Sequence, residues 1–336
     1  MIDGAYVPPI DRNVSCVTQS ELEQAGFIRS KTAGRFEIIK RLPQEAESFD
    51  TMFDYADVYG KFRMAAIDSP HKISYITNKE IKSASAFGGE LGMKTAEYNG
   101  FLFNVATNIS QNIYFANPGK DELNEDFFGR DKDSFAYVSQ ASINYYSDYF
   151  HVRVGRIKVE TPYANSDDIR MSANTFEGAK LNIDYTNKLR TEIMYLNRWA
   201  GYDSQDEKAA EFQNEFKNLV SDESLGLFGI AMTYKYDSNS DASLWYNYID
   251  KMSAIIYAEV AGVYSLDKAD LSFDYGLQLS NIKELENSGI AGNVVGAMGI
   301  VHYHGAFLGG AYNKAFIEDG KFITDGFGGG ALLYLP

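Results

Sequence analysis

Along most of this chain polar and apolar residues alternate one by one, and a period of two restricts it to extended strands with one wet face and one dry face. In residues 269–280, Ala269, Leu271, Phe273, Tyr275, Leu277 and Leu279 share one face, and Asp270, Ser272, Asp274, Gly276, Gln278 and Ser280 share the other. A helix would scatter both sets around its circumference. The same separation recurs in residues 179–186, where Ala179, Leu181, Ile183 and Tyr185 oppose Lys180, Asn182, Asp184 and Thr186. In residues 227–236 the apolar set is Phe228, Ile230, Met232, Tyr234 and Tyr236. In residues 58–66, Val58, Phe62, Met64 and Ala66 oppose Tyr59, Lys61, Arg63 and Ala65, and in 189–197, Leu189, Ile193 and Tyr195 oppose Arg190 and Glu192. Segments 292–301 and 305–312 are Gly-rich and apolar on both faces.

The connections add a second rhythm. Short turns are expected at 97–100, Ser147-Asp148, 186–188, 237–241 and Asp267-Lys268, and longer polar loops at 68–83, 110–134, 161–175, 201–223 and 281–291. Short turns at one end and long loops at the other are the asymmetry of an up-and-down barrel in an outer membrane. Asp250-Lys251 is tight where a long loop is due. About thirteen to fourteen strands of about ten residues are expected, a length that suits a tilted crossing of the hydrocarbon layer. Tyr145, Tyr146, Trp199 and Tyr236, at strand ends, are expected in an interfacial aromatic girdle. A soluble β-sandwich also alternates, but its strands are usually shorter and fewer.

Composition agrees with extended structure: Tyr 24, Phe 22 and Gly 29 against Pro 7 favour strands broken by tight turns. The net charge of −15 lacks the basic footprint of a nucleic-acid binder. Cys16 is the single cysteine, so no intrachain disulfide forms, and it reads as an incidental thiol. No apolar run is long enough for a transmembrane helix, which says nothing against a barrel. Residues 1–11 have no basic start followed by an apolar stretch, so an export signal is expected to have been removed or to lie outside this chain. Residues 1–53, with Pro8-Pro9 and the mixed charges Arg35, Glu37, Lys40 and Arg41, read as a leader or a periplasmic or plug segment with a short helix near 19–25. Residues 54–336 read as the barrel.

The middle of the chain carries more specific features. Val154-Gly155-Arg156 is followed by Thr161-Pro162, then by Ser166-Asp167-Asp168-Ile169-Arg170, then by Thr175-Phe176-Glu177-Gly178-Ala179. This succession resembles the OprD-like outer-membrane porins of Gram-negative bacteria. In that family a Gly-bearing strand leads into a Pro, an SDxR-like loop and a TFxG element that opens the next strand. Residues 53–64 also look like the family's first strand, and Asp325-Gly326-Phe327-Gly328-Gly329-Gly330 is similar to its late Gly-rich segment. The resemblance covers roughly residues 50–335. It implies a barrel of about eighteen strands, narrowed by inward-folded loops, through which small and often carboxylate-bearing solutes diffuse. Two departures stand out. Asp168 replaces a small residue, and Met171-Ser172-Ala173-Asn174 replaces a Leu-Leu-Pro-Gln type sequence. The family barrel also continues beyond the point matched by Pro336, so either the closing strands are expected to be missing or the sheet to close with fewer.

The resemblance places the loop bearing Pro162, Ser166, Asp167, Asp168 and Arg170 at the pore constriction, with Arg170 and Asp167 lining or bracing the eyelet. The plainer expectation is that Arg170 pairs with Asp167 or Asp168 to hold the loop's shape. By parity, Lys61, Arg63, Lys180, Asp184, Arg190 and Glu192 face the lumen, as do Lys235, Asp270 and Asp274. Basic residues on one wall and acids opposite would set a transverse field. His302 and His304, two apart, would share a strand face, but no carboxylate or thiol neighbours them in sequence, so a metal site is not expected. Neither G-x-S-x-G, P-loop nor CxxC is present. The expected protein is therefore a passive, cofactor-free porin. Its expected contacts are small solutes and outer-membrane lipid, as a monomer or a trimer of barrels. The alternatives are an outer-membrane barrel enzyme such as a lipid hydrolase, or a soluble ligand-binding β protein.

Overall fold

The alternating segments form one antiparallel sheet. The computed structural model describes residues 27–29, 38–40, 44–73, 80–168, 170–201, 204, 210–212, 224–266, 270–324 and 326–328. A short hairpin, β1 (Phe27–Arg29) with β2 (Ile38–Lys40), precedes a helix, α1 (Phe49–Asp54). The large sheet then runs β3 (Asp57–Ile73), β4 (Glu80–Lys94), β5 (Phe101–Asn112), β6 (Phe135–Tyr146), β7 (Phe150–Ile157), β8 (Thr175–Asp184) and β9 (Leu189–Ala200). It continues with β10 (Leu227–Lys235), β11 (Ser240–Ile249), β12 (Ser253–Leu266), β13 (Leu271–Glu284), β14 (Gly292–Tyr303) and β15 (Ala306–Phe316). Its 13 strands lie in chain order, each paired with its sequence neighbours, and β3 and β15 are the edges among the described residues. A single up-and-down sheet of this kind replaces the sandwich alternative, whose Greek-key connections would reorder the strands.

The two ends differ as the sequence predicts. One end holds the connections 95–100, 147–149, 185–188, 236–239, 267–270 and 304–305; the other holds 113–134, 158–174, 201–226 and 285–291. The turn at 250–252 remains short, with Ile249 paired to Ser253. Segment 68–83 is not the long loop expected: β3 runs to Ile73 and β4 starts at Glu80, with a register shift between Asp68 and Lys72. Its mixed polar sequence hid two strand extensions. The expected turn Asp267-Lys268, Cys16 and the helix near 19–25 lie outside the described residues, as do parts of loop 201–223 and of the late Gly-rich segment.

The predicted faces hold. Phe62, Met64, Phe228, Ile230, Met232, Leu277 and Leu279 are exposed on one face. On the other, Leu102, Asn108, Gln140, Lys180, Ala231 and Gln278 are buried. We call the second face inner, because loops 113–134 and 158–174 pack on it. Leu279 sits mid-strand in β13 on the outer face. Leu279→Arg is expected to cost about 2–4 kcal/mol against hydrocarbon. Urea unfolding in lipid vesicles measures this, and an unchanged midpoint would mean that the outer face does not meet lipid.

Two aromatic expectations are corrected. Tyr145 and Tyr236 lie on the outer face, but Tyr146 points inward and stacks on His151, ring centroids 3.9 Å apart. Trp199 is also inward and buried, stacked on Phe176 at 5.9 Å. Trp199 changes face because the β8–β9 ladder shifts register between Glu177 and Gly178, which a strict period of two does not anticipate.

The same region explains the glycines of the 154–178 motif. Gly155 and Gly178 are register partners on β7 and β8. A Cβ on Gly155, whose φ is +119°, would fall 2.2 Å from the Ala141 carbonyl oxygen, and one on Gly178 2.0 Å from that of Tyr195. Only a bare backbone lets these strands come so close where β7 ends and the chain turns inward.

Candidate functional site

The connection from β7 to β8 does not stay at the rim. Residues 158–174 fold onto the inner face and are tied down at both sides. A turn at its start, with Thr161 N–H donating to the Ala164 carbonyl at 2.9 Å, carries Pro162 and projects Tyr163. Tyr163 is fully buried against the β12–β13 wall. Its hydroxyl is 2.5 Å from Ser280 Oγ and its ring meets Tyr257 edge-on, centroids 6.3 Å apart. Burial outweighs that hydrogen bond and pushes the phenol pKa up to about 12, so the hydroxyl stays protonated at neutral pH.

The other side of the loop reaches β3. Arg63 Nη1 donates to Asp168 at both the carboxylate (3.2 Å) and the backbone carbonyl (3.1 Å), and Lys61 pairs with the same carboxylate. Asp168, a residue that departs from the resembled family, is thus the latch between loop and wall. Ser166 closes the loop's neck: its N–H donates to the Val159 carbonyl at 2.8 Å and its Oγ accepts from Val159 N–H at 3.0 Å. The Asp167 carbonyl accepts from Asn174 N–H at 3.2 Å.

Arg170 reaches beyond its own loop. Its Nη2 lies 3.4 Å from Asp126 Oδ2, on the neighbouring loop 113–134. That loop is itself seated on the inner face through Leu123, Phe127 and Phe128, which pack with Met171 on Ala84 and Ala86. Arg170 therefore braces one inward loop against another. Since both partners keep some solvent exposure, the pair is worth on the order of 1 kcal/mol or less. Arg170→Ala is expected to change single-channel conductance by less than about twofold. Planar-bilayer recording checks this, and a larger jump would place the guanidinium in the solute path.

Of the parity-derived residues, Lys61, Arg63, Lys180 and Glu192 carry inner-face partners. Lys180 is buried and pairs with Glu192, and Lys158 binds Glu90 at 2.6 Å. Asp184 and Arg190 form a two-point pair, Nε–Oδ1 2.7 Å and Nη2–Oδ2 3.3 Å, at the mouth of the short-turn end. That mouth, of about 590 Å³, is also lined by Glu192, Thr233, Lys235 and Asp241. A second cavity of about 270 Å³ lies along the inner faces of β3–β7, lined by Lys94, Asn144, Tyr146, His151, Arg153 and Lys158.

Across the sheet the inner face turns acidic. Glu259 accepts from Tyr257 (3.0 Å) and Gln278 (3.1 Å), and Asp274 lies 2.9 Å from His302 Nε2. Asp270 is corrected: it occupies a turn with φ +47° and pairs with His304 Nδ1 at 3.0 Å, outside the lumen wall. His304 is corrected with it. It sits with Gly305 in the two-residue turn between β14 and β15, not on the strand beside His302. No group of three potential metal ligands occurs among the described residues.

Tyr163, Asp126, Glu90, Arg153 and Lys158 escaped sequence reading. A signal existed for the wall that holds Tyr163. Apart from Asn247, residues 244–249 and 255–257 are apolar on both faces, where a water-filled lumen would need one polar face. Trp245, Ile249, Ile255 and Tyr257 are buried inward because Val159, Tyr163 and Ala164 of the loop, with Ile323 and Phe327, pack against them.

A family model, outer membrane porin, OprD family, matches residues 115–320. No curated protein matches the sequence. Among solved structures, Pseudomonas aeruginosa OccK9 (OpdG) superposes with a TM-score of 0.68 at 13% identity, covering 79% of this chain and 68% of that one. P. aeruginosa OccD3 (OpdP) gives 0.56 at 14% identity, covering 70% and 53%. P. aeruginosa OpdK with vanillate gives 0.61 at 13% identity, covering 77% and 65%. The chain thus spans 53% to 68% of the length of these three structures.

Proposed function

Because the chain belongs to the OprD family of outer-membrane porins, passive channels and not enzymes, we propose that it passes small carboxylate-bearing solutes beneath the loop 158–174. The observation that carries this reading is the distribution of charge on the inner face. Arg63, Arg153, Lys158 and Lys180 lie on or beside β3, β7 and β8, while Glu259 and Asp274 lie on β12 and β13. A field between the two walls orients a solute that carries a negative group, and the polar lining of β5 and β6 (Asn104, Gln140, Asn144) supplies hydrogen bonds along the way. One solved structure of the same fold holds vanillate, an aromatic carboxylate.

The test compares benzoate with the neutral benzamide in proteoliposome uptake. Benzoate is expected to enter faster, and Arg153→Gln to remove about fivefold of that preference, the effect of losing roughly 1 kcal/mol of attraction in a wet lumen. Equal rates for the two probes would overturn the reading.

Residues 44–54 suggest where the N-terminal segment lies. Ala96 N–H donates to the Met52 carbonyl (3.0 Å) and Glu97 N–H to that of Gln44 (2.8 Å), so this stretch is docked at the short-turn end. We assign the described residues 44–53 to the periplasmic side on that basis, and the sheet that follows to the barrel. Hydrocarbon does not tolerate the bare edges of β3 and β15, so in a membrane both are paired, either with further strands or with each other. Each barrel encloses its own path, and a single copy is sufficient for the function proposed.

A further inference from the structure

The ion pair between Glu90 and Lys158 is made across the sheet and not along it. Glu90 lies on β4, Lys158 directly follows β7, and β5 and β6 stand between those strands. That separation is about 14 Å of wall, from the usual spacing of neighbouring strands. The two side chains meet because the chain leaves the wall after Ile157 and carries Lys158 over the inner face. There Lys158 Nζ donates to Glu90 Oε2 at 2.6 Å.

What the pair crosses is the polar lining of the cavity of about 270 Å³. Tyr59 Oη donates to Asn104 Oδ1 (2.9 Å), and Asn104 Nδ2 donates to Gln140 Oε1 (3.2 Å). Gln140 Nε2 then donates to the same Glu90 oxygen that holds Lys158, at 3.3 Å. Tyr59, Asn104, Gln140 and Lys158 all line the cavity, so its row of donors and acceptors ends on one carboxylate. The Glu90 side chain is 9% exposed and that of Lys158 31%, so a solute reaches the ammonium and not the acid. Arg153 brings a second cation close by, its Nη1 donating to the Lys158 carbonyl at 3.3 Å. An acid among these cations cancels charge that an anionic solute would use. It also prevents the solute from being held too firmly, and conduction needs binding strong enough to enter and weak enough to leave. With a tethered carboxylate already on Lys158, a solute gains only the difference between its own contact and the one it displaces.

We propose that Glu90 tunes passage by exchange: a solute carboxylate takes Lys158 from Glu90 as it crosses this cavity, and Glu90 takes it back when the solute leaves. The proposal rests on the carboxylate reading above. Glu90 is a positioning residue in this scheme, since it acts through Lys158 and does not touch the solute. A neutral solute offers the ammonium no replacement charge and meets the pair closed.

The experiment measures benzoate uptake into proteoliposomes of the full chain over a range of concentrations. Rates are taken per folded barrel, counted by heat-modifiable gel mobility. Glu90→Gln keeps the shape of the side chain and removes its charge. Its half-saturating benzoate concentration is expected to fall about fivefold, the weight of one unit charge about 4 Å away in water. Its maximal rate is expected to fall as well, because the freed ammonium now holds the solute. Glu90→Gln with Lys158→Gln is expected to half-saturate no lower than the parent, since no ammonium is left to free. An unchanged or raised half-saturating concentration in Glu90→Gln overturns the proposal; a merely structural pair gives that result, with fewer folded barrels. A fall that persists in the double variant also overturns it, because the gain then belongs to the field of the lost charge and not to exchange at Lys158. The parent protein separates this from the broader reading. Equal parental rates for benzoate and benzamide remove the carboxylate reading and the exchange with it. A parental preference for benzoate, with Glu90→Gln half-saturating as the parent does, removes the exchange alone.

Discussion

Asp168→Ala is expected to raise single-channel conductance about two- to fivefold and to shift permeability toward anions. The carboxylate joins Arg63 and Lys61 on β3 to the loop that crosses the inner face, and its removal has two consequences. The loop loses its ionic tie to that wall, so the passage it narrows widens. Two cations also lose their shared counter-charge and turn toward the solution in the lumen. Two unit charges about 4 Å apart are worth ~1 kcal/mol in water and ~4 kcal/mol near a protein surface. Even the lower figure corresponds to about a fivefold change in ion preference. Asp168→Asn separates the two effects. The backbone carbonyl still accepts from Arg63 at 3.1 Å, so the loop stays largely in place while the charge is gone. That variant is expected to shift selectivity with little gain in conductance. Reversal potentials in asymmetric KCl and unitary currents measure both. If neither variant alters selectivity, Lys61 and Arg63 do not face the solute path.

How far this architecture could be read from the sequence depended on whether water or protein faced each side. Where one face meets the surroundings and the other meets solvent or polar groups, as in 179–186 and 271–280, alternation located both strand and face, and the structure agrees. Where protein covers the inner face, alternation fails. Trp245, Ile249 and Ile255 look like the wrong side of an amphipathic strand until loop 158–174 is placed over them. The register shift at Glu177/Gly178 turned Trp199 inward for a similar reason: one extra residue reverses parity, and no local pattern records it. The inward course of loop 158–174 was legible through the order of its motifs, not through any property of its residues. Its anchoring remained hidden because each tie is long in sequence. Asp168 reaches back 105 residues to Arg63, and Tyr163 reaches forward 117 to Ser280. Pairing at that range follows from a loop that lies across the inner face of the sheet. Parity did predict that Lys61 and Arg63 share a face, but not that a loop acid would hold them.

Tyr163→Ala is expected to free the loop from the opposite wall, with larger and noisier currents than Asp168→Ala produces. Tyr163 is fully buried, and removing an aromatic ring from such a site costs about 3–5 kcal/mol. The loss falls on the loop and not on the sheet, because the ring's partners Tyr257 and Ser280 belong to β12 and β13, which keep their own ladder hydrogen bonds. Residues 326–328 would loosen too, since Phe327 N–H donates to the Tyr163 carbonyl at 3.0 Å and Phe327 is part of the same cluster. Tyr163→Phe keeps the packing and removes one hydrogen bond, about 1 kcal/mol, so its currents should stay near those of the parent protein. The two anchors lie at opposite walls of one loop, so their losses should not add. Once either is cut the loop swings on the other, and the double variant Asp168→Ala/Tyr163→Ala is expected to exceed the product of the single effects. Four unitary conductances, from the parent, both singles and the double, decide the matter. Strict multiplicativity would mean that Tyr163 and Asp168 restrain separate parts of the lumen. Parent-like currents in Tyr163→Ala would mean that the loop does not set the width of the pore.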